Sequence, residues 1–110
     1  MSADFPSRGD VFVVVLDPTR GHEIRKTRPC LVVSPDELNE HLGTFIVAPL
    51  TTGSHPYPFR VACRFQGKDG HIVIDQLRTV DRERLVEKLG VIDADTLTRS
   101  LDVLQAMFSL

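Results

Sequence analysis

The run Val11-Phe12-Val13-Val14-Val15-Leu16 is six apolar residues long and mostly β-branched, which predicts a strand buried on both faces. Asp17-Pro18-Thr19-Arg20-Gly21 ends it with residues that favour turns. A loop then runs to Pro29, and Cys30-Leu31-Val32-Val33 predicts a second buried strand. Ser34-Pro35-Asp36-Glu37 has the form of a helix start, with serine as N-cap and proline in the first helical position. Gly43 keeps that helix short, and Thr44 to Leu50 predicts a third strand.

Phe59 to Phe65 alternates. Phe59, Val61, Cys63 and Phe65 point one way, and Arg60, Ala62 and Arg64 lie on the open face. Lys68-Asp69-Gly70 is a hairpin-turn signal, and Ile72-Val73-Ile74 continues as strand through Val80. Asp81 to Lys88 fits a helical turn followed by a strand, which pattern alone does not separate. Asp93 is placed to cap a terminal helix whose Leu97, Leu101, Leu104 and Phe108, spaced by four, three and four, make one apolar stripe. Short strands this close together, five to seven in all, predict a mainly β fold with helices. The expected form is a small, strongly curved antiparallel barrel, its C-terminal helix packed on the barrel or on a second subunit. That stripe and the doubly apolar first strand offer more hydrophobic surface than one small barrel hides, which predicts a two-fold dimer.

Composition narrows the class. The 110 residues make a single domain, 1–110, and 42% hydrophobic with 25% charged residues is the balance of a globular protein. No apolar run approaches the roughly 20 residues that span a bilayer. Met1-Ser2-Ala3-Asp4-Phe5-Pro6 lacks the basic and apolar regions of a secretion signal, so a cytoplasmic location away from membranes is expected. Cys30 and Cys63 sit in apolar runs and read as buried thiols. The net charge of −2 announces no nucleic-acid partner, but its distribution is uneven. Arg20, Arg25, Lys26 and Arg28 face only Glu23 within one short stretch, whereas Asp93, Asp95 and Asp102 face Arg99 near the end. A local basic loop on a mildly acidic body holds phosphate, because screening leaves the nearest charges dominant; a merely solvated loop is the alternative.

The sequence has no CxxC pair, no HExxH, no glycine-rich phosphate loop and no GxSxG. His22, His41, His55 and His71 are scattered, so neither a metal nor another cofactor is expected. What remains is Gly21-His22-Glu23-Ile24-Arg25-Lys26-Thr27-Arg28-Pro29, which sets an imidazole, a carboxylate and three cations between two buried strands. RNA cleaves itself when its 2′-hydroxyl attacks the adjacent phosphorus. An enzyme must accept that proton, protonate the leaving 5′-oxygen and stabilise the phosphorane. Arginine does the last well, since its fork matches phosphate oxygens and stays charged. The other reading is that these charges pair with one another on a loop.

The segment Arg8 to Pro35 closely resembles the opening of MazF/PemK toxins, through Gly9-Asp10-Val11, Asp17-Pro18-Thr19, Gly21-x-Glu23 and Arg28-Pro29. Val47-Ala48-Pro49-Leu50-Thr51-Thr52 with Tyr57-Pro58-Phe59 resembles the family's second motif, and Asp75-Gln76-Leu77-Arg78-Thr79-Val80-Asp81 its third. The likeness covers almost the whole chain. It implies a compact SH3-like barrel, a homodimer, and metal-independent cleavage of single-stranded RNA at a short sequence to a cyclic phosphate and a 5′-hydroxyl. It also implies a MazE-like antitoxin whose extended segment covers the RNA groove.

By the same resemblance Arg28 and Thr51 are the main catalytic pair, and Glu23 matches a carboxylate often placed near the phosphate. His22 and Asp75 match residues of the Kid/PemK branch. That branch also has an arginine two positions before the aspartate, where this sequence has Val73, which places the chain nearer the MazF branch. Arg20, His22, Arg25, Lys26, Thr52, Asp75 and Gln76 complete the residues expected to hold substrate. Each has a structural alternative: Arg28 pairing with Glu23 or Asp75, Thr51 bonding backbone in a turn, His22 merely exposed, Asp75 and Gln76 a buried pair. A different function class is a CcdB-like toxin that shares the barrel, binds a protein such as gyrase through its C-terminal residues and does no chemistry.

Overall fold

The computed structural model describes residues 5–53 and 56–110, so Met1 to Asp4, Ser54 and His55 lie outside the description. Seven strands, all paired antiparallel, and two helices follow one another as β1 (Asp10–Val15), β2 (Thr27–Val32), α1 (Asp36–His41), β3 (Thr44–Thr52), β4 (Arg60–Phe65), β5 (Lys68–Val73), β6 (Arg78–Asp81), β7 (Leu85–Val91) and α2 (Ala94–Met107). Among the described residues no helix is long and apolar enough to cross a membrane.

The central strands are buried on both faces, as the unbroken apolar run requires. Val11, Leu31, Ala48 and Leu50 enter one core cluster with Ile72, Ile74 and Ile92, covered by Leu97, Leu104 and Met107 of α2. Val14, Leu16, Cys30, Val32, Phe45 and Val47 form a second cluster on the other side, closed by Val80 and by Ile24 from the β1–β2 loop. Burial pushes the Cys30 thiol up to about 12, so it stays protonated and inert.

The sheet runs β4-β5-β3-β2-β1-β7, with β6 pairing β3. Its two ends approach each other but do not form a ladder, so the expected strongly curved antiparallel barrel is present as a curled sheet left open at one seam. At the seam the Gln66 amide donates to the Leu89 carbonyl at 3.1 Å. The Phe65 ring lies against Gly90, where a Cβ would sit 3.4 Å from it.

Several boundaries differ from the sequence expectation. The hairpin turn is Gln66-Gly67, not Lys68-Asp69-Gly70: Phe65 pairs with Lys68, and Gln66 and Gly67 take φ of 50° and 76°. Positive φ at both central residues is what a two-residue hairpin turn demands. Phe59 lies outside β4, is exposed, and has φ of 63°. Arg60 is half-buried, not on an open face, because its guanidinium is bound by Asp75. Ile72 to Val80 is interrupted by a 3₁₀ turn at Ile74–Gln76. The register against β3 steps by three residues between β5 and β6, the length of that turn, which therefore projects Asp75 and Gln76 from the ladder.

Ser34 does not cap α1. Its buried hydroxyl donates to Asn39 Oδ1 and accepts the Ile46 N–H at 3.0 Å, fastening the helix to β3. Asp93 does cap α2, accepting the Thr96 N–H at 3.0 Å and the Thr96 hydroxyl at 2.7 Å. The helix packs on the sheet, but its buried face is not the expected stripe: Leu97, Val103, Leu104 and Met107 meet the core, while Phe108 is 74% exposed just past the helix end. Buried Thr96 and Ser100 continue with Val103 and Met107 at the same spacings of four, three and four, one residue earlier than expected, so the buried face is turned toward that side of the helix.

Candidate active site

The loop from Asp17 to Lys26 is fastened at both ends and in the middle. At its neck the Leu16 N–H donates to the Lys26 carbonyl at 2.8 Å. Arg84 donates to the Val15 and Asp17 carbonyls at 3.0 and 2.7 Å, and Arg78 to the Leu16 carbonyl at 3.0 Å. Midway, Ile24 is half-buried against the second core cluster. The Gln76 amide grips the backbone on either side of Glu23, accepting the Ile24 N–H at 2.7 Å and donating to the His22 carbonyl at 3.3 Å. Glu23 accepts the Arg20 N–H within the loop. A hydrogen bond from the Lys26 backbone, aided by the Thr19 hydroxyl and the Arg25 and Lys26 charges, holds the Asp17 carboxyl below its ordinary value.

This loop is one wall of an open groove of about 790 Å³. Gly21 to Lys26, Arg28 and Pro29 line that side, the β4–β5 hairpin lines the other, and Leu50, Thr51 and Thr52 at the end of β3 form the floor. β2 and β3 pair up to Cys30↔Pro49, and continuing that register by two residues sets Arg28 opposite Thr51. Thr51 Oγ1 is the one buried side-chain polar atom without a hydrogen-bond partner among the described residues. Arg28 is exposed and forms no ion pair or side-chain hydrogen bond among them. Cations thus rim a floor that carries an unused hydroxyl.

Behind the loop lies a second groove of about 420 Å³, lined by Leu16, Pro49, Asp75, Gln76 and Arg78, with His22, Glu23 and Ile24 common to both as a ridge. The sequence-derived residues therefore divide. Arg25, Lys26, Arg28, Thr51 and Thr52 lie in the first groove, Asp75 and Gln76 in the second, His22 and Glu23 on the ridge, and Arg20 in neither. Asp75 does not meet Arg28. Both its oxygens bind Arg60, at 3.1 and 3.2 Å, and the Arg60 guanidinium stacks 5.0 Å from the Tyr57 ring centroid. Gln76 is committed to the loop backbone.

Sequence reasoning did not find the hairpin wall, made of Phe65, Gln66, Lys68, Asp69 and Gly70, nor Cys63 beside it. Partial burial raises the Cys63 thiol above its ordinary value. Alternation placed Phe65 and Cys63 on one face, but their entry into the groove depends on how far the sheet curls. Among the described residues no group of three or more histidine, cysteine or acidic side chains is placed to hold a metal ion.

Residues 7–108 match the family described as PemK-like, MazF-like toxin of type II toxin-antitoxin system. The chain belongs to this family. It is 37% identical over 93 residues to the endoribonuclease toxin MazF of Escherichia coli, covering 84% of each chain. Over 109 residues it is 31% identical to the endoribonuclease EndoA of Bacillus subtilis, covering 94% of each. In three dimensions it is similar to MazF from Deinococcus radiodurans, with 30% identity, a TM-score of 0.85, and coverage of 98% of this chain and 100% of that one. A toxin chain from a MazE–MazF crystal structure of the same organism shares 26% identity with a TM-score of 0.78, over 98% of this chain and 99% of that one. Membership accounts for the mainly antiparallel sheet and the C-terminal helix.

Proposed function

We propose that this protein is a sequence-specific endoribonuclease toxin that cuts single-stranded RNA without a metal ion and is neutralised by a MazE-like antitoxin in the cytoplasm. The observation that carries this reading is the unpartnered Thr51 hydroxyl on the groove floor, opposite an Arg28 that pairs with no carboxylate among the described residues. In the proposed step the substrate's 2′-oxygen bonds to phosphorus as the bond to the 5′-oxygen breaks. The 2′-proton passes to a base, a proton reaches the 5′-oxygen, and the products are a 2′,3′-cyclic phosphate and a 5′-hydroxyl. Arg28 binds the phosphorane oxygens through its fork, and Thr51 donates to one of them. Glu23, on the ridge above, is the proton acceptor. Because the nucleophile belongs to the substrate, the step requires no metal.

The relatives' names support an enzyme in preference to a non-catalytic binder of gyrase type, and the MazE–MazF structure supports an antitoxin partner. The cations Arg20, Arg25, Lys26 and Arg28 suit an acidic antitoxin segment, whose binding weakens with salt. A two-fold dimer is part of the proposal: Val86, Val91 and Phe108 are exposed apolar residues that a second copy would cover. The test is incubation of the pure protein with mixed single-stranded RNA in excess EDTA. Fragments with cyclic-phosphate and 5′-hydroxyl ends are expected; no cleavage, or cleavage only with magnesium, contradicts the reading.

A further inference from the structure

Gly70 stands apart from the other glycines of the chain. A Cβ built on it would lie 1.9 Å from the Thr51 carbonyl oxygen, 2.9 Å from the Thr51 carbonyl carbon and 3.2 Å from Thr52 Cα. Elsewhere an added Cβ meets only a side chain, Leu97 at Gly9 and Phe65 at Gly90, or open space at Gly21, Gly43, Gly53 and Gly67. Those neighbours yield by rotating, whereas a backbone carbonyl in a ladder does not. Gly70 has no left-handed φ, so its requirement is space and not backbone conformation. The overlap is local: Gly70 pairs with Thr52 and His71 with Thr51, at the last rungs of β3 against β5.

Thr51 is also, among the described residues, the one whose hydroxyl is buried without a partner. A side chain with no hydrogen bond of its own is aimed only by its backbone and its packing. The peptide carrying Thr51 is held where Gly70 leaves room for it, so the bareness of one strand fixes the aim of a hydroxyl on the next.

We infer that Gly70 is a positioning residue for Thr51: lacking a Cβ, it lets β5 close on the Thr51 peptide and so sets the hydroxyl on the groove floor opposite Arg28. This deepens the ribonuclease reading and rests on it. It adds a residue from the hairpin wall, across the groove from the basic loop.

The test is Gly70→Ala, with Gly43→Ala as a control in open space. Single-turnover cleavage of single-stranded RNA is measured beside affinity for the same RNA carrying a 2′-deoxy residue at the cut, with the Thr51 methyl followed by NMR. The expected result is a folded Gly70→Ala protein whose Thr51 methyl resonance has moved. Its affinity is within a few-fold of wild type and its rate is down on the order of 10²-fold, as for an ångström-scale misplacement. In a Thr51→Ala background, Gly70→Ala should cost little more, since both changes remove the same contribution. A merely structural role would give an additive loss in that background.

Wild-type rate in Gly70→Ala, an additive loss, an unmoved Thr51 resonance, or a variant that does not fold each overturns the inference; the last would mean that the glycine serves the whole sheet. A wild-type protein that cuts no RNA overturns the ribonuclease reading instead, and the Thr51 resonance then decides alone whether Gly70 positions that residue.

Discussion

Arg28 of the second strand and Thr51 of the third, each two residues past the last paired rung Cys30↔Pro49, line the same groove. The ladder thus delivers a cation and a hydroxyl to one place from two distant motifs, at the point where the strands part and a groove opens.

The first prediction concerns that pair. Arg28→Ala should lower the single-turnover rate on the order of 10²–10³-fold, with a smaller effect on RNA affinity, because the proposed contact strengthens as charge builds on the phosphorane oxygens. Arg28→Lys should also be slow, since a point charge does not replace the planar fork. Thr51→Ala should be damaging but less so, as a neutral donor contributes less than a charged one. A folded Arg28→Ala protein cutting at wild-type speed would rule the pair out.

The second concerns the amide that grips the loop. Gln76→Leu removes two hydrogen bonds to the His22–Ile24 backbone, a loss of about 1–2 kcal/mol. Trypsin should then cut between Arg20 and Arg28 faster than in the wild type, and RNA should bind more weakly. An unchanged digestion time course would show that Ile24 and the neck contacts hold the loop alone.

The third separates Asp75 from the chemistry. Its oxygens are occupied by Arg60, so Asp75→Asn should lower thermal stability modestly and leave the cleavage rate within a few-fold. Arg60→Ala should behave alike. A rate loss beyond about 10²-fold in a stable Asp75→Asn protein would place the carboxylate in catalysis on the scale typical of a general acid or base.

The fourth is a pH dependence. Hydrogen bonds from the Thr96 side chain and then its backbone hold the folded Asp93 carboxyl below the 3.8 of a free aspartate. Its contribution is therefore complete above that value and disappears as pH falls through the lower, folded pKa. Asp93→Ala should lower Tm at neutral pH. Asp93→Asn keeps an acceptor for the cap and should show a shallower loss of Tm between neutral pH and strong acid. Parallel acid limbs for wild type and Asp93→Asn would remove Asp93 from the acid transition.

What could be read from the sequence was whatever is decided over a few neighbouring residues. The β1 run, the Asp93 cap and the helical turn before β7 depend on local period and local hydrogen bonding, and the structure has all three. The Gln66-Gly67 turn was missed because Asp69-Gly70 carries the stronger dipeptide signal, yet Gly70 serves a tight strand approach instead of a turn. The break at Ile74–Gln76 arises from a register step against β3, which no window around Asp75 contains. At the candidate site, motif resemblance singled out Arg28 and Thr51 but said nothing of the hairpin wall, the Arg60–Asp75 pair, or the division into two grooves. Those follow from how the sheet curls.

Besides the packing of Ile24, four polar attachments restrain the stretch from Asp17 to Lys26: Arg84 and Arg78 on its entry, Gln76 at its centre, and the Leu16–Lys26 bond at its neck. Ordering a residue's backbone costs about 1–2 kcal/mol. Here that cost is incurred during folding, so a polyanion meeting Arg25, Lys26 and Arg28 finds the wall already shaped. Its association should carry a small conformational-entropy penalty, and its affinity should be governed by how fast it leaves more than by how slowly the wall assembles.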